Sequence, residues 1–149
     1  MCENKAAAEE RSPEERNNIS RYKMREQAFI LCFEMLFSDS DVEELADNAG
    51  DARDEFLSDY ALSCAGGVKE NAETLDERIS ANLKKGWKIS RISRVSLAIL
   101  RLALYEMLFL DDIPVSVSIN EAVELSKKYT VEDDSGFING VLGSIAKTL

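Results

Sequence analysis

Residues 95–110 read VSLAILRLALYEMLFL, an almost unbroken apolar run interrupted only by Ser96, Arg101 and Glu106. A helix made of this stretch is apolar around most of its circumference, so it belongs in the middle of a domain with neighbours on several sides. A membrane span needs roughly 20 apolar residues, and this run is shorter and carries two charges. The expectation is a buried core helix, and the chain is expected to act in the cytoplasm without a membrane partner.

Working outward, Asp111-Asp112 ends that helix and Pro114 can open the next, because a first helical turn does not need the missing N–H. Ser118-x-x-Glu121 has the form of a capping box and offers a later start. Ile119, Ala122, Val123 and Ser126 are expected to face inward, with Lys127 and Lys128 near the helix end, where the dipole favours cations. The last helix takes Asp133, Asp134 or Ser135 as its cap and buries Phe137, Ile138, Val141, Leu142 and Ile145. Gly140 and Gly143 inside it cost about 1 kcal/mol each relative to alanine, which points to close helix packing there.

Toward the N-terminus, Gly86-Trp87 marks a turn with a large aromatic plug packed between helices. Val68, Ala72, Leu75 and Ile79 recur at helical spacing, as do Phe56, Leu57, Tyr60, Ala61 and Cys64. Between these two stripes, Gly66-Gly67 either stops one helix or lets another backbone approach closely. A short helix is expected through Val42, Leu45 and Ala46. A first amphipathic helix over residues 21–37 carries Phe29, Cys32, Phe33 and Leu36. Residues 1–18 are polar and charged, and read as a disordered extension; the domain proper is expected over residues 19–149.

Composition agrees with an all-α fold: the 149 residues include only 2 Pro and 7 Gly, and one hydrophobic core suffices at this length. Three widely spaced cysteines, Cys2, Cys32 and Cys64, suggest neither a disulfide framework nor a metal knuckle, and are expected as reduced thiols. There is no histidine, which removes the commonest general base and metal ligand. No catalytic residue, metal or cofactor is expected.

The net charge of −10 argues against nucleic acid only until its distribution is considered. Residues 79–105 contain no acidic residue while Lys84, Lys85, Lys88, Arg91, Arg94 and Arg101 supply six positive charges. Arg21, Lys23 and Arg25 form a smaller basic cluster. Residues 39–59 hold nine acidic residues against the single Arg53, and residues 106–134 hold eight against Lys127 and Lys128. Such a surface is bipolar. Arg101 lies five positions before Glu106, too far for a helical pair, and is expected to bury its stem and reach a carboxylate on another helix.

Several blocks, in order, resemble the transcription antitermination factor NusB family. They are Arg25-Glu26-x-Ala28, Trp87, Ile92-Ser93-Arg94-Val95, Ala98-Ile99-Leu100-Arg101-x-Ala103-x-Tyr105-Glu106, Ile113-Pro114, Ile119-Asn120-Glu121-Ala122-Val123, Lys127-Lys128-Tyr129 and Phe137-Ile138-Asn139-Gly140-Val141-Leu142. The resemblance covers residues 20–146. It implies a compact bundle of about seven helices without enzymatic activity. It further implies binding to boxA-type RNA of nascent ribosomal RNA transcripts together with NusE, a small-subunit ribosomal protein, and through them an indirect action on the RNA polymerase elongation complex.

The family's RNA site at the arginine-rich start of the first helix corresponds to Arg21, Tyr22, Lys23 and Arg25. Cations neutralise phosphates and a ring can stack on a splayed base. Lys84 and Lys88 are a second candidate RNA surface. The family's partner site near the start of the apolar helix falls on Ser96 and Leu97, where the usual acidic-basic pair is missing. A second partner site falls on Glu132 and Asp133, and the family's glycine after Lys-x-Tyr is Thr130. Both a monomer and a homodimer are open.

Two other classes compete. Some rRNA cytosine methyltransferases carry a NusB-like domain, but they need a Rossmann-like domain and a nucleophilic cysteine, and these residues contain no glycine-rich cofactor loop. A divergent helical scaffold that binds protein but little RNA is the other, motivated by Tyr22 and Met24 interrupting the basic segment.

Overall fold

The computed structural model describes residues 20–37 and 57–149, with only the backbone of Glu132. All described regular structure is helical: α1 Arg21–Met35, α2 Asp59–Ala81, a short 3₁₀ turn Ile89–Arg91, α3 Arg94–Phe109, α4 Val115–Tyr129 and α5 Glu132–Ala146. The expected extension over residues 1–18 and the short helix through Val42, Leu45 and Ala46 lie outside the described residues. The chain divides into two compact units, Met1–Gly66 and Gly67–Leu149.

In the first unit, Ser20 caps α1 by accepting a hydrogen bond from the Lys23 N–H at 3.2 Å, which satisfies one of the orphan donors of a helix start. The helix buries Ala28, Phe29, Leu31 and Cys32, and Phe33 meets Phe37 edge-on at 4.9 Å. Cys32 and Cys64 are both buried thiols outside any disulfide. A second capping arrangement is buried entirely: the Ser58 hydroxyl accepts from the Ala61 N–H at 3.0 Å, opening α2. The N–H of Ser58 donates to Gln27 Oε1 at 2.9 Å. Because Ser58 is wholly inaccessible, that amide is its N–H's substitute for water.

Five described α-helices are fewer than the expected bundle of about seven, and one reason lies at Gly66-Gly67. Those glycines do not stop a helix; α2 runs through them for 23 residues. A Cβ at Gly67 would fall well inside van der Waals contact with the ring of Tyr105 on α3. Glycine is used there for close approach.

In the second unit, α3 confirms the core reading of residues 95–110. Ile99, Leu100, Leu102 and Leu104 are buried at 2% exposure or less, each contributing about 1.5–3 kcal/mol of gross hydrophobic stabilisation. No helix among the described residues is long and apolar enough to cross a membrane. Arg101 reaches Asp76 on α2 through two parallel bonds, Nε to Oδ1 at 2.7 Å and Nη2 to Oδ2 at 2.5 Å, the carboxylate on another helix that was expected. α3, α4 and α5 pack on one another. Ser144 on α5 donates to Asn82 Oδ1 at 2.9 Å, and Asn82 in turn donates to the Arg78 carbonyl at 2.8 Å, holding the end of α2.

Four local expectations are corrected. Pro114 is the N-cap of α4, and the helix begins at Val115; Ser118 lies inside it, wholly buried, so it closes no capping box. α5 starts at Glu132 with Val131 as N-cap, which leaves Asp133 and Asp134 in the first turn, where the dipole favours their charge. Gly140 and Gly143 have open space where a Cβ would stand, so no close packing explains them. Trp87 is 52% exposed and therefore no buried plug.

Candidate nucleic-acid and partner interface

The start of α1 presents cations with no acidic residue in the first turn, an arrangement the helix dipole opposes. One turn later, Glu26 relieves it. Although only 5% exposed, Glu26 accepts from the Tyr22 hydroxyl at 3.5 Å and lies 3.5 Å from Lys23 Nζ. The carboxylate thus holds a ring and an ammonium side by side. Arg21 and Tyr22 are exposed and Lys23 is half-buried. Arg25 is buried at 4% exposure. Of the four positions expected to meet RNA, three reach the surface and Arg25 lies beneath it.

The basic stretch after α2 is built differently. A turn over residues 84–87 closes with the Trp87 N–H donating to the Lys84 carbonyl at 3.0 Å. It requires Gly86, whose φ of 89° is the left-handed conformation that other residues avoid. Lys84, Lys85, Lys88, Arg91 and Arg94 all reach solvent. The short 3₁₀ turn, closed by Arg91 N–H to the Lys88 carbonyl at 2.9 Å, keeps Arg91 and Lys88 on a compact loop. Trp87 stacks on Phe137 of α5 at 5.7 Å between centroids, which joins the basic loop to the first half of α5.

Of the expected partner residues, Asp133 is exposed and sits one helical turn before Phe137, on the same face. The Trp87 stack therefore brings Lys84 and Lys88 toward the end of α5 that carries Asp133. Ser96 is a different matter. Ser93 caps α3 by accepting from the Ser96 N–H at 3.2 Å, and this turns Ser96 inward to 2% exposure. Its hydroxyl has no hydrogen-bond partner among the described residues. Leu97 is half-buried and is the member of that pair nearer the surface. Thr130 solves the α4 ending without glycine: its hydroxyl donates to the Ser126 carbonyl at 2.6 Å, and its backbone stays extended at φ −125°. Beside it Val131 is 70% exposed, an apolar contact that the acidic character of this loop concealed in the sequence.

No group of three or more His, Cys, Asp or Glu residues suited to a metal occurs among the described residues. The surfaces described are cationic, aromatic and acidic patches on helix ends and on the loop after α2.

Solved structures share the architecture. The chain resembles T. maritima NusB with a TM-score of 0.74 and 38% identity, over 87% of this chain and 92% of that one. It resembles a chain of the crystal structure of antitermination factors NusB and NusE in complex with dsRNA with a TM-score of 0.76 and 26% identity, over 88% of this chain and 100% of that one. Transcription antitermination protein NusB of Clostridium botulinum (strain Kyoto / Type A2) is 43% identical over 143 residues, covering 85% of this chain and 99% of that protein. The model of the NusB family matches residues 22–147. The chain belongs to the NusB family.

Proposed function

We propose that the protein is a transcription antitermination factor that binds boxA-type RNA of nascent rRNA transcripts together with NusE and promotes terminator read-through by RNA polymerase. The observation that carries this reading is the family match over residues 22–147 combined with likeness, at a TM-score of 0.76, to a structure holding NusB, NusE and RNA. The chain is not an enzyme; its family supplies a transcription factor. Its place of action is the cytoplasm, where transcripts emerge, and residues 19–149 form the working domain.

RNA contact falls to Arg21, Tyr22 and Lys23 at the start of α1 and to Lys84 and Lys88 in the loop after α2. Arg25, read from the sequence as a fourth contact, is buried and belongs to the interior. Leu97, with Ser96 packed behind it, and the Glu132-Asp133 end of α5 with exposed Val131 serve the protein partner. That second surface joins an acidic and an apolar element, suited to a basic ribosomal protein.

A titration tests this. Labelled boxA-like RNA added to the chain with NusE should bind, weaken as salt rises, and bind roughly tenfold less tightly to the Arg21→Ala/Lys23→Ala double variant. Binding no tighter than to a scrambled RNA would leave a helical protein-interaction scaffold as the reading.

A further inference from the structure

We propose that Trp87 is a base-stacking residue: its open face takes an unpaired base of single-stranded RNA while Lys84, Lys88 and Arg91 hold the flanking phosphates. The proposal rests on the RNA-binding reading above and names a contact within it. Its starting point is a half-exposed indole that the turn holds in place rather than leaves loose. Gly86 sets the left-handed corner, the Trp87 N–H is tied to the Lys84 carbonyl at 3.0 Å, and one ring face rests on Phe137, 5.7 Å between centroids and 29° from parallel. A ring fixed by its backbone and by one face still has 52% of its surface in water. Such a platform has given up its rotamer freedom before a ligand arrives, so stacking costs little ordering.

The chemistry around it selects the ligand. Lys84, Lys85, Lys88 and Arg91 reach solvent, and the stretch they belong to, residues 79–105, itself contains no acidic residue. An aromatic face flanked by cations suits a nucleotide, since base and phosphate then each meet their complement. A duplex offers no free base face, which makes the ligand single-stranded. A protein partner would more naturally occupy Asp133 and Val131, further back along α5.

The chain contains one tryptophan and four tyrosines, so fluorescence excited beyond the tyrosine absorption band reports on this ring alone. Single-stranded boxA-like RNA should be titrated into the full chain with and without NusE, with the signals of NusE and RNA subtracted. Saturable quenching is expected, with the same midpoint as binding followed through labelled RNA. Trp87→Ala should weaken binding about tenfold, in the range for removal of one base–aromatic stack. Trp87→Phe, which keeps an aromatic face, should retain most of the affinity. If RNA binds the parent chain with unchanged fluorescence and binds Trp87→Ala as tightly, the stacking role is wrong while the antitermination reading stands. Quenching by NusE alone, with no further change on adding RNA, would give the ring to the protein interface and overturn the proposal. Failure of the parent to bind RNA at all would remove both readings together.

Discussion

Two cationic regions of this molecule use opposite devices. At the start of α1 the buried carboxylate of Glu26 draws in Tyr22 and Lys23, so a fixed geometry is obtained by neutralising part of the positive charge. In the loop after α2, Lys84 and Lys88 reach solvent with no carboxylate nearby in sequence, and order comes instead from Gly86 and the Trp87 ring. The difference teaches that charge count is a poor measure of a phosphate-binding surface. A paired lysine contributes shape, whereas an unpaired one contributes field.

The sharpest way to break this comparison is at Arg25, which belongs to the first region by sequence but to the interior by burial. Arg25→Ala should lower stability by about 2 kcal/mol or more, because it removes a buried charged side chain from its partners. A thermal melt shows it directly, while RNA affinity per folded molecule should change little. A variant with parental melting temperature and collapsed RNA affinity would return Arg25 to the surface.

Next in size is the loop. Lys84→Ala/Lys88→Ala should weaken RNA binding roughly tenfold and flatten the slope of log affinity against log salt by about 1.4, which is about 0.7 for each single-strand phosphate no longer neutralised. An unchanged salt slope would mean that these lysines are merely solvated.

The smallest effect is the most pointed. Glu26→Gln keeps the shape of the side chain but removes its charge, so the positive charge of Lys23 is less neutralised where phosphate would approach. RNA affinity should rise about two- to threefold, while stability shifts by less than about 1 kcal/mol because the Lys23 end of the pair is half-exposed. A fall in affinity would show that geometry at α1 outweighs charge.

Local chemistry was legible where a few neighbouring residues decide the outcome. The apolar run over residues 95–110 did become the buried α3, and Lys127 and Lys128 did fall in the last turn of α4. Spacing ruled out Glu106 as the helical partner of Arg101 and left a carboxylate on another helix as the expectation, which the structure identifies as Asp76. What escaped were pairings across long sequence separations: Gln27 with Ser58, Asn82 with Ser144 and Trp87 with Phe137. Periodicity shows which side of a helix is apolar, but not how deep a given residue sits or which distant group meets it. For that reason Ser96 read as a surface residue and Trp87 as a core one, each the reverse of its position. The capping signals at Ser118 and Asp133 misled for a related reason, since a suitable side chain marks a possible helix start and the preceding backbone selects the real one.

Gly67 and Tyr105 occupy what is in effect a single volume. A methyl group added at the first position must displace the ring at the second, and that ring is itself stacked on Phe109 at 5.2 Å. Drift at either site is therefore felt at the other: a larger residue at 67 displaces the ring at 105 and its stack on Phe109, unless that ring has first been traded for something smaller. The crossing of α2 and α3 thus couples the substitutions that these two positions can accept.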